Sequence, residues 1–532
     1  MHGDEADRPR SQAPGRAGSR APDDGQREAP MLWPGLGLGL RHARVDALGW
    51  VELAQRLHAR DARLLSLWGD QQPGQGVLVW ALWLLDDGLQ LASLPLRHGE
   101  IYPGLHEWFP VAQRLQRALR DLLGPLAQGT DPRPWLRHQA WAADWHPLRE
   151  QAGPLRVPVN PQPYAYVDVQ GQGVHEINVG PVHAGIIEPG QFRFSVLGEQ
   201  VLRLEQRLGW THKGVARLLR GRDPAGAVRL AARLSGDSTV AGAWACCMAL
   251  EAAAVVQPPP RALQLRALLL ERERIANHLG DIGAIAGDTG LGFGLSQFSM
   301  LKEQVLRLNQ QAFGARWPMD ALCPGGVARD VAASALAQLD AQCLRLGDDA
   351  RVLLAAFEQH AGLQDRLRGT GRVDAALARS LGMLGLAARA SAQDIDLRRG
   401  MQPYAGLELQ VPLQRDGDVA ARMAQRFDEL FESLRLCREL LLRLPEGELR
   451  APWPEGGAGG RAGWSLGLVE GWRGPVLVAL RLDAGGRVAQ AHAHDASWQN
   501  WPAVEWAAAR DIVADFPLIN KSFNLSYSGH DG

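Results

Sequence analysis

Val174-His-Glu-Ile-Asn-Val-Gly-Pro-Val-His183, followed by Glu188-Pro-Gly-Gln-Phe-Arg193 and then Gly209-Trp-Thr-His-Lys-Gly214, is where this chain of 532 residues changes character. Residues 175–179 and 191–197 carry β-forming side chains punctuated by Gly and Pro, so they read as strands of a small sheet, with 164–169 as a further strand. Beyond them the period becomes helical. Val240, Ala243, Trp244, Cys247 and Met248 share one helix face, and Leu265, Leu268, Leu269, Ile275, Leu279 and Ile282 form a similar face on a longer helix. Helical periodicity returns over 331–386 and 419–444, a Gly-rich loop spans 455–463, and 466–469 with 475–482 are strand-like.

Upstream, the prolines of 151–163 mark a linker. Residues 31–150 mix a helix at 50–58, a hairpin built from 62–68 and 77–85 around a turn at 70–76, and an amphipathic helix at 105–123. Residues 1–30 hold almost nothing to bury and read as a disordered tail. The expected fold class is α+β. An N-terminal α+β domain (31–150) is joined through the linker (151–163) to a mainly α-helical domain with a small antiparallel β portion (164–532).

Composition narrows the function. Lys plus Arg is 57 against Asp plus Glu 58, so no global field favours nucleic acid. The five cysteines are odd in number and contain no C-x-x-C, which excludes a disulfide framework, a zinc knuckle and a self-contained iron-sulfur site. No apolar run approaches the roughly 20 residues that span a bilayer. No Gly-rich strand-to-helix turn for a dinucleotide is evident. These features describe a cytoplasmic globular protein or a peripheral subunit of something larger.

The three opening strings resemble the start of the nickel-iron hydrogenase large subunit and of its relative, the subunit that lines the quinone cavity of respiratory complex I. Glu273-Arg-Ile-Ala-Asn-His-Leu-Gly-Asp-Ile-Gly283, Cys323-Pro-Gly-Gly-Val327, Gly417-Asp-Val419 with Arg422, and Pro517-Leu-Ile519 look like later landmarks in the same order. Asp131-Pro-Arg-Pro-Trp135 and His146-Pro-Leu-Arg149 are similar to the complex I accessory domain that hydrogenase-3 and hydrogenase-4 types fuse in front. The resemblance implies a peripheral subunit on the cytoplasmic face of the membrane. Its implied partners are a small iron-sulfur subunit carrying the cluster and membrane-embedded antiporter-like subunits, and its cleft would accept quinone or another two-electron acceptor.

The departures are specific. The family's two C-x-x-C pairs supply soft thiolates to nickel and iron. They fall here on Ser235-Gly-Asp-Ser238 and Ser526-Tyr-Ser-Gly529, none of them cysteine. The family's glutamate near the metals falls on Ala216, and the tyrosine of the quinone-binding His/Tyr pair falls on Gly236, leaving His183 as the histidine. No nickel-iron centre is expected, and no redox cofactor bound by the chain itself. The combination is most similar to energy-converting hydrogenase-related complexes. A coupling subunit with a vestigial pocket is the alternative, and an active nickel-iron hydrogenase is opposed by all four vacated positions.

The residues also have plainer readings. His183 follows Gly-Pro in a strand-turn-strand, so it either handles a proton or bonds backbone. Ser235 and Ser238 precede a helix and are expected to cap it, although a quinone oxygen at that terminus would also be favoured. Glu470 and Arg473, in Glu-Gly-Trp-Arg-Gly, resemble a hydrogenase active-site string; a strand-end ion pair is the simpler reading. Arg274, His278 and Asp281 lie on one helix side, a stripe that is usually solvated or salt-bridged between helices. His492 and His494 share a strand face without a third metal ligand nearby, and Cys246 and Cys247 read as small core residues.

Overall fold

The N-terminal segment forms its hairpin because two apolar runs rich in β-formers, within 63–72 and 76–85, pair along their length. The computed structural model describes residues 30–72, 76–97, 99–150, 152–160, 162–183, 187–454 and 463–532. All of the expected tail but residue 30, residues 73–75 of the turn at 70–76 and all of the Gly-rich loop but residue 463 lie outside the described residues.

After β1 (Met31–Leu32) and β2 (Leu40–Arg44), Asp46 accepts the Gly49 amide and starts α1 (Ala47–His58). The hairpin pairs β3 (Arg63–Gln72) with β4 (Gly76–Leu85), Trp68 opposite Trp80, and β5 (Gly88–Leu96) completes a sheet of order β2-β5-β4-β3. Short strands β6 (Ile101–Pro103) and β7 (Leu126–Gln128) pair in parallel on either side of α2 (Ala112–Leu123), which packs on β3. The expected helix at 105–123 therefore starts late, because Pro110 lacks an amide donor and disfavours helical backbone at the residue before it.

The small sheet is β8 (Val174–Val179), β9 (Gln191–Leu197) and β10 (Gln200–Arg207), antiparallel in the order β10-β9-β8. The run at 164–169 is not a strand. Its backbone is satisfied by side chains instead: Arg133 Nη1 donates to the Ala165 carbonyl at 2.8 Å and the Val167 amide to Glu205 at 2.9 Å.

Helices then dominate: α3 (Val215–Leu219), α4 (Pro224–Ala231), α5 (Thr239–Ala254), α6 (Pro260–Asp288), α7 (Gly292–Phe313), α8 (Ala333–Gln359) and α9 (Val419–Leu442). The small hairpin β11 (Leu322–Cys323) and β12 (Gly326–Val327) separates α7 from α8. α6 packs against both α7 and α9. The chain closes with β13 (Ser465–Glu470), β14 (Pro475–Leu482), β15 (Val488–Asp495), α10 (Ser497–Ala508), α11 (Phe516–Phe523) and α12 (Tyr527–Asp531). The architecture is α+β.

α5 is apolar all round, as its sequence Thr-Val-Ala-Gly-Ala-Trp-Ala-Cys-Cys-Met requires of a helix buried on every side, and it lies across β13 and β14. Trp244, Cys246 and Cys247 are fully buried there. The two halves of the chain share structure: β1 pairs in parallel with β13, Met31 opposite Ser465, and Ser66 Oγ bonds His492 at 2.7 Å and His494 at 3.1 Å. Among the described residues no helix is long and apolar enough to cross a membrane.

Candidate functional site

The loop before α5 and the loop before α12 meet end to end. Ser235 Oγ lies 2.8 Å from Ser526 Oγ and donates to Asp237 Oδ1 at 2.8 Å, so the proton between the serines comes from Ser526. Ser526 Oγ in turn accepts the Gly529 amide at 2.8 Å and caps α12. Gly529 has no room for a side chain: a Cβ there would stand 2.9 Å from Ser526 Oγ and 3.1 Å from Asp495 Cγ.

Arg473 fills the space these positions surround. Its guanidinium grips Asp237 through both Nη atoms at 2.8 and 2.7 Å, donates from Nε to the Asn524 carbonyl at 2.6 Å, and lies 3.3 Å from Ser238 Oγ. It also lies over the Trp472 ring at 3.9 Å, while Trp472 Nε1 and Asn277 Nδ2 both donate to the Asp237 carbonyl. Burial alone would raise the Asp237 pKa, but the charge and hydrogen bonds of Arg473 outweigh it and hold the carboxyl below its ordinary range. Ser235, Ser238, Ser526, Gly529 and Arg473 are thus brought together.

The expected capping of α5 by Ser235 or Ser238 is corrected. Ser238 stands at the N-cap position with a backbone too far from the extended region for its hydroxyl to cap, and it makes no such bond. Glu273, reaching across from α6, takes that role: its carboxyl accepts the Val240 and Ala241 amides at 2.7 and 3.2 Å. Burial, with the Asp237 charge nearby, pushes Glu273 up to about 8.

His183 sits half-buried in the connection between β8 and β9, its Nε2 bonded to the Gly190 carbonyl at 2.7 Å and its ring 5.7 Å from Phe192. That connection is tied to the vacated motif. Glu188 accepts the Ser528 amide at 3.0 Å, and a Cβ on Gly190 would stand 2.5 Å from the Tyr527 ring, so only glycine permits the approach. Ala216 lines a cavity of about 80 Å³ shared with His212 and His530.

Glu470 belongs to a different constellation. It is fully buried and accepts Arg389 Nη1 at 2.8 Å; Arg389 Nε reaches Glu429 at 2.8 Å, and Glu429 meets His278 at 3.2 Å and Arg274 at 3.5 Å. Arg398 extends the network to Asp396 at 2.7 Å and Glu271 at 3.1 Å, where Tyr404 also donates. Asp281 pairs with Arg426 at 3.0 Å. The Arg274, His278 and Asp281 stripe is therefore salt-bridged between helices and buried. Burial and the neighbouring Asp396 charge push Glu470 up to about 7; burial lowers His278, and the Arg389 and Arg274 charges with the His278 bond keep Glu429 well below its ordinary range. Arg274 joins the two constellations by donating to the carbonyls of Glu470 at 2.7 Å and Gly471 at 3.2 Å.

Asp237, Glu273, Arg389 and Asp396 escaped the sequence reading. Asp237 lies between the two serines of a noted motif and Glu273 directly before Arg274, but only the fold brings their partners to them. His492 and His494 are occupied by Ser66 and, for His494, by Gln499 at 3.0 Å. Among the described residues no three His, Cys, Asp or Glu side chains converge on a metal position. The donors at the vacated positions are three protonated hydroxyls and a glycine with a guanidinium in their midst, a set that does not fit soft transition metals.

Residues 288–455 match the family described as respiratory-chain NADH dehydrogenase, 49 Kd subunit. The chain is 28% identical to formate hydrogenlyase subunit 5 of Escherichia coli over 81% of its own length and 77% of that protein. These similarities support the hydrogenase and complex I large-subunit superfamily. Within it, the chain is 27% identical to hydrogenase-4 component G of the same organism, covering 81% of this chain and 76% of that protein. It is 29% identical to NADH-quinone oxidoreductase subunit 4 of Thermus thermophilus over 53% of this chain and 69% of that protein. A chain of the membrane-bound sulfane sulfur reductase, an archaeal respiratory membrane complex, shares the fold with a TM-score of 0.64 at 23% identity, covering 68% of this chain and 99% of that one.

Proposed function

We propose that this chain is a peripheral subunit of a membrane-bound complex I-like or hydrogenase-related oxidoreductase. With a small iron-sulfur subunit it forms, at the cytoplasmic face, a cleft for quinone or another two-electron acceptor, and antiporter-like subunits lie in the membrane beneath. It holds no nickel-iron centre. One observation supports the reading: Ser235, Ser238, Ser526 and Gly529, which the resemblance matches to the family's ligand positions, gather around the Arg473–Asp237 pair.

Reducing a quinone takes two electrons and two protons. The partner's cluster would supply the electrons and solvent one of the protons, and His183 is the imidazole beside the C-terminal loop that delivers the other to a carbonyl oxygen. Arg473 cannot bind the acceptor without leaving Asp237, so it positions the loops. His183→Ala should lower quinone reduction by the intact complex about 10²-fold or more, the contribution expected of a general acid. An unchanged rate with full assembly would overturn the assignment.

A second reading has its own support. The bond from His183 to Gly190 and the capping of α5 by Glu273 leave the expected acceptor contacts already occupied, as in a coupling subunit with a vestigial pocket. Titration of the assembled complex with a short-chain quinone analogue separates the two: saturable binding supports the cleft, and none supports the vestigial pocket.

A further inference from the structure

A groove of about 710 Å³ runs along the seam between Pro147–Leu148 and α3. Its rim carries Lys213, Arg217, Arg220, Arg222 and Arg487 against a single carboxylate, Asp223. Asp223 is committed, because it caps α4 by accepting the Gly226 amide at 2.8 Å. The cations bond backbone carbonyls: Lys213 that of Leu234 at 3.1 Å, Arg217 that of Pro147 at 3.4 Å, Arg220 that of Leu148 at 2.7 Å, Arg222 that of Leu218 at 3.2 Å and Arg487 that of Gly221 at 2.9 Å. Among the described residues none of the five forms an ion pair with a carboxylate. Elsewhere on the surface this chain pairs its arginines, as in Arg41–Asp87, Arg233–Asp320 and Arg316–Glu303. A chain with balanced total charge has therefore concentrated positive charge in one concave place, with Glu188 and Asp531 acting on Lys213, and Asp70 and Glu150 on Arg220, from beyond its lining.

We propose that this groove docks an acidic polypeptide segment of a neighbouring subunit. Three features favour a polypeptide. The groove is concave with Leu122, Leu148 and Leu218 between the cations, so an occupant inserts side chains rather than lying flat as a bilayer would. No Trp, Tyr or Phe lines it among the described residues, which leaves His212 as the one aromatic ring a nucleotide base would meet. The cations are anchored one by one on five different carbonyls, those of Leu234, Pro147, Leu148, Leu218 and Gly221, and so offer several separate positions for successive carboxylates. The proposal does not depend on quinone chemistry, and its test is independent of turnover.

The experiment places a photo-crosslinking amino acid at Leu218, 46% exposed in the groove, in the full chain expressed in its native membranes. The expected result is one polypeptide adduct whose crosslinked peptide is rich in Asp and Glu. Its yield should fall about tenfold in the R217E/R222E/R487E variant, and several-fold in about 1 M salt, where the Debye length is about 3 Å. The neutral R217Q/R222Q/R487Q variant should fall between, which separates lost attraction from misfolding. An adduct to lipid alone, an adduct to a neutral or basic peptide, a yield indifferent to charge reversal, or no adduct overturns the proposal.

Discussion

Replacing Glu273 separates a charged cap from a neutral one. In the native protein its carboxyl is pushed from 4.5 up to about 8, so at pH 7 only about a tenth of it is ionised. It holds the Val240 and Ala241 amides as a neutral acid, and an amide oxygen can do the same. Glu273→Gln should therefore change stability by less than about 1 kcal/mol at about pH 4, below the unfolded value, whereas Glu273→Ala, which orphans two buried amides, should cost about 1–3 kcal/mol there. The pH dependence has a definite sign. A carboxyl whose folded pKa is raised stabilises the fold fully below the unfolded value of 4.5, and that contribution is lost as pH rises towards about 8. At about 1.4 kcal/mol per unit the wild type surrenders up to a few kcal/mol by pH 9, and the glutamine variant surrenders none of it. Thermal unfolding of the three proteins at about pH 4 and pH 9 checks this. Glutamine as damaging as alanine at about pH 4, or no gain of glutamine over wild type by pH 9, would refute the reasoning.

Other outcomes follow from the same geometry. Asp237→Asn and Arg473→Met should couple by about 1–2 kcal/mol in a double-mutant cycle, less than a fully buried pair because the Asp237 side chain is 34% exposed; additive losses would contradict the pairing. Gly529→Cys should destabilise by about 1–3 kcal/mol because its Cβ would crowd Ser526 and Asp495, measured by chemical unfolding. Arg389→Met removes the cation between Glu429, Glu470 and Asp396 and should cost about 3–5 kcal/mol at pH 8. The loss should shrink at pH 5 as the abandoned carboxyls protonate, and a pH-independent loss would count against the network.

Sequence reading located the elements whose local chemistry is self-sufficient. The hairpin at β3 and β4, the apolar α5 and the long α6 are legible because each is a long apolar-rich run bounded by turn residues. Of the positions that the resemblance matches to metal ligands, the structure brings Ser235 and Ser526 within hydrogen-bonding reach of each other. What fills them was not legible, because Arg473 meets Asp237 across 236 residues of chain. Glu470 and Arg473 look like one site when read as Glu-Gly-Trp-Arg, yet the turn between β13 and β14 sends one into the buried charge network and the other into the serine cluster. The capping of α5 was misassigned for a similar reason: local residue types suggested serine, but a carboxyl from the adjacent helix satisfies the amides. Pairings of this kind are fixed by packing, and the sequence records only that polar groups are present.

The central claim is that the chain works inside a membrane-bound oxidoreductase assembly. Gentle detergent purification of the tagged chain from native membranes, with its companions identified by mass spectrometry, tests that most directly. The account predicts recovery with a small iron-sulfur protein and antiporter-like membrane subunits; recovery as a lone soluble protein would contradict it.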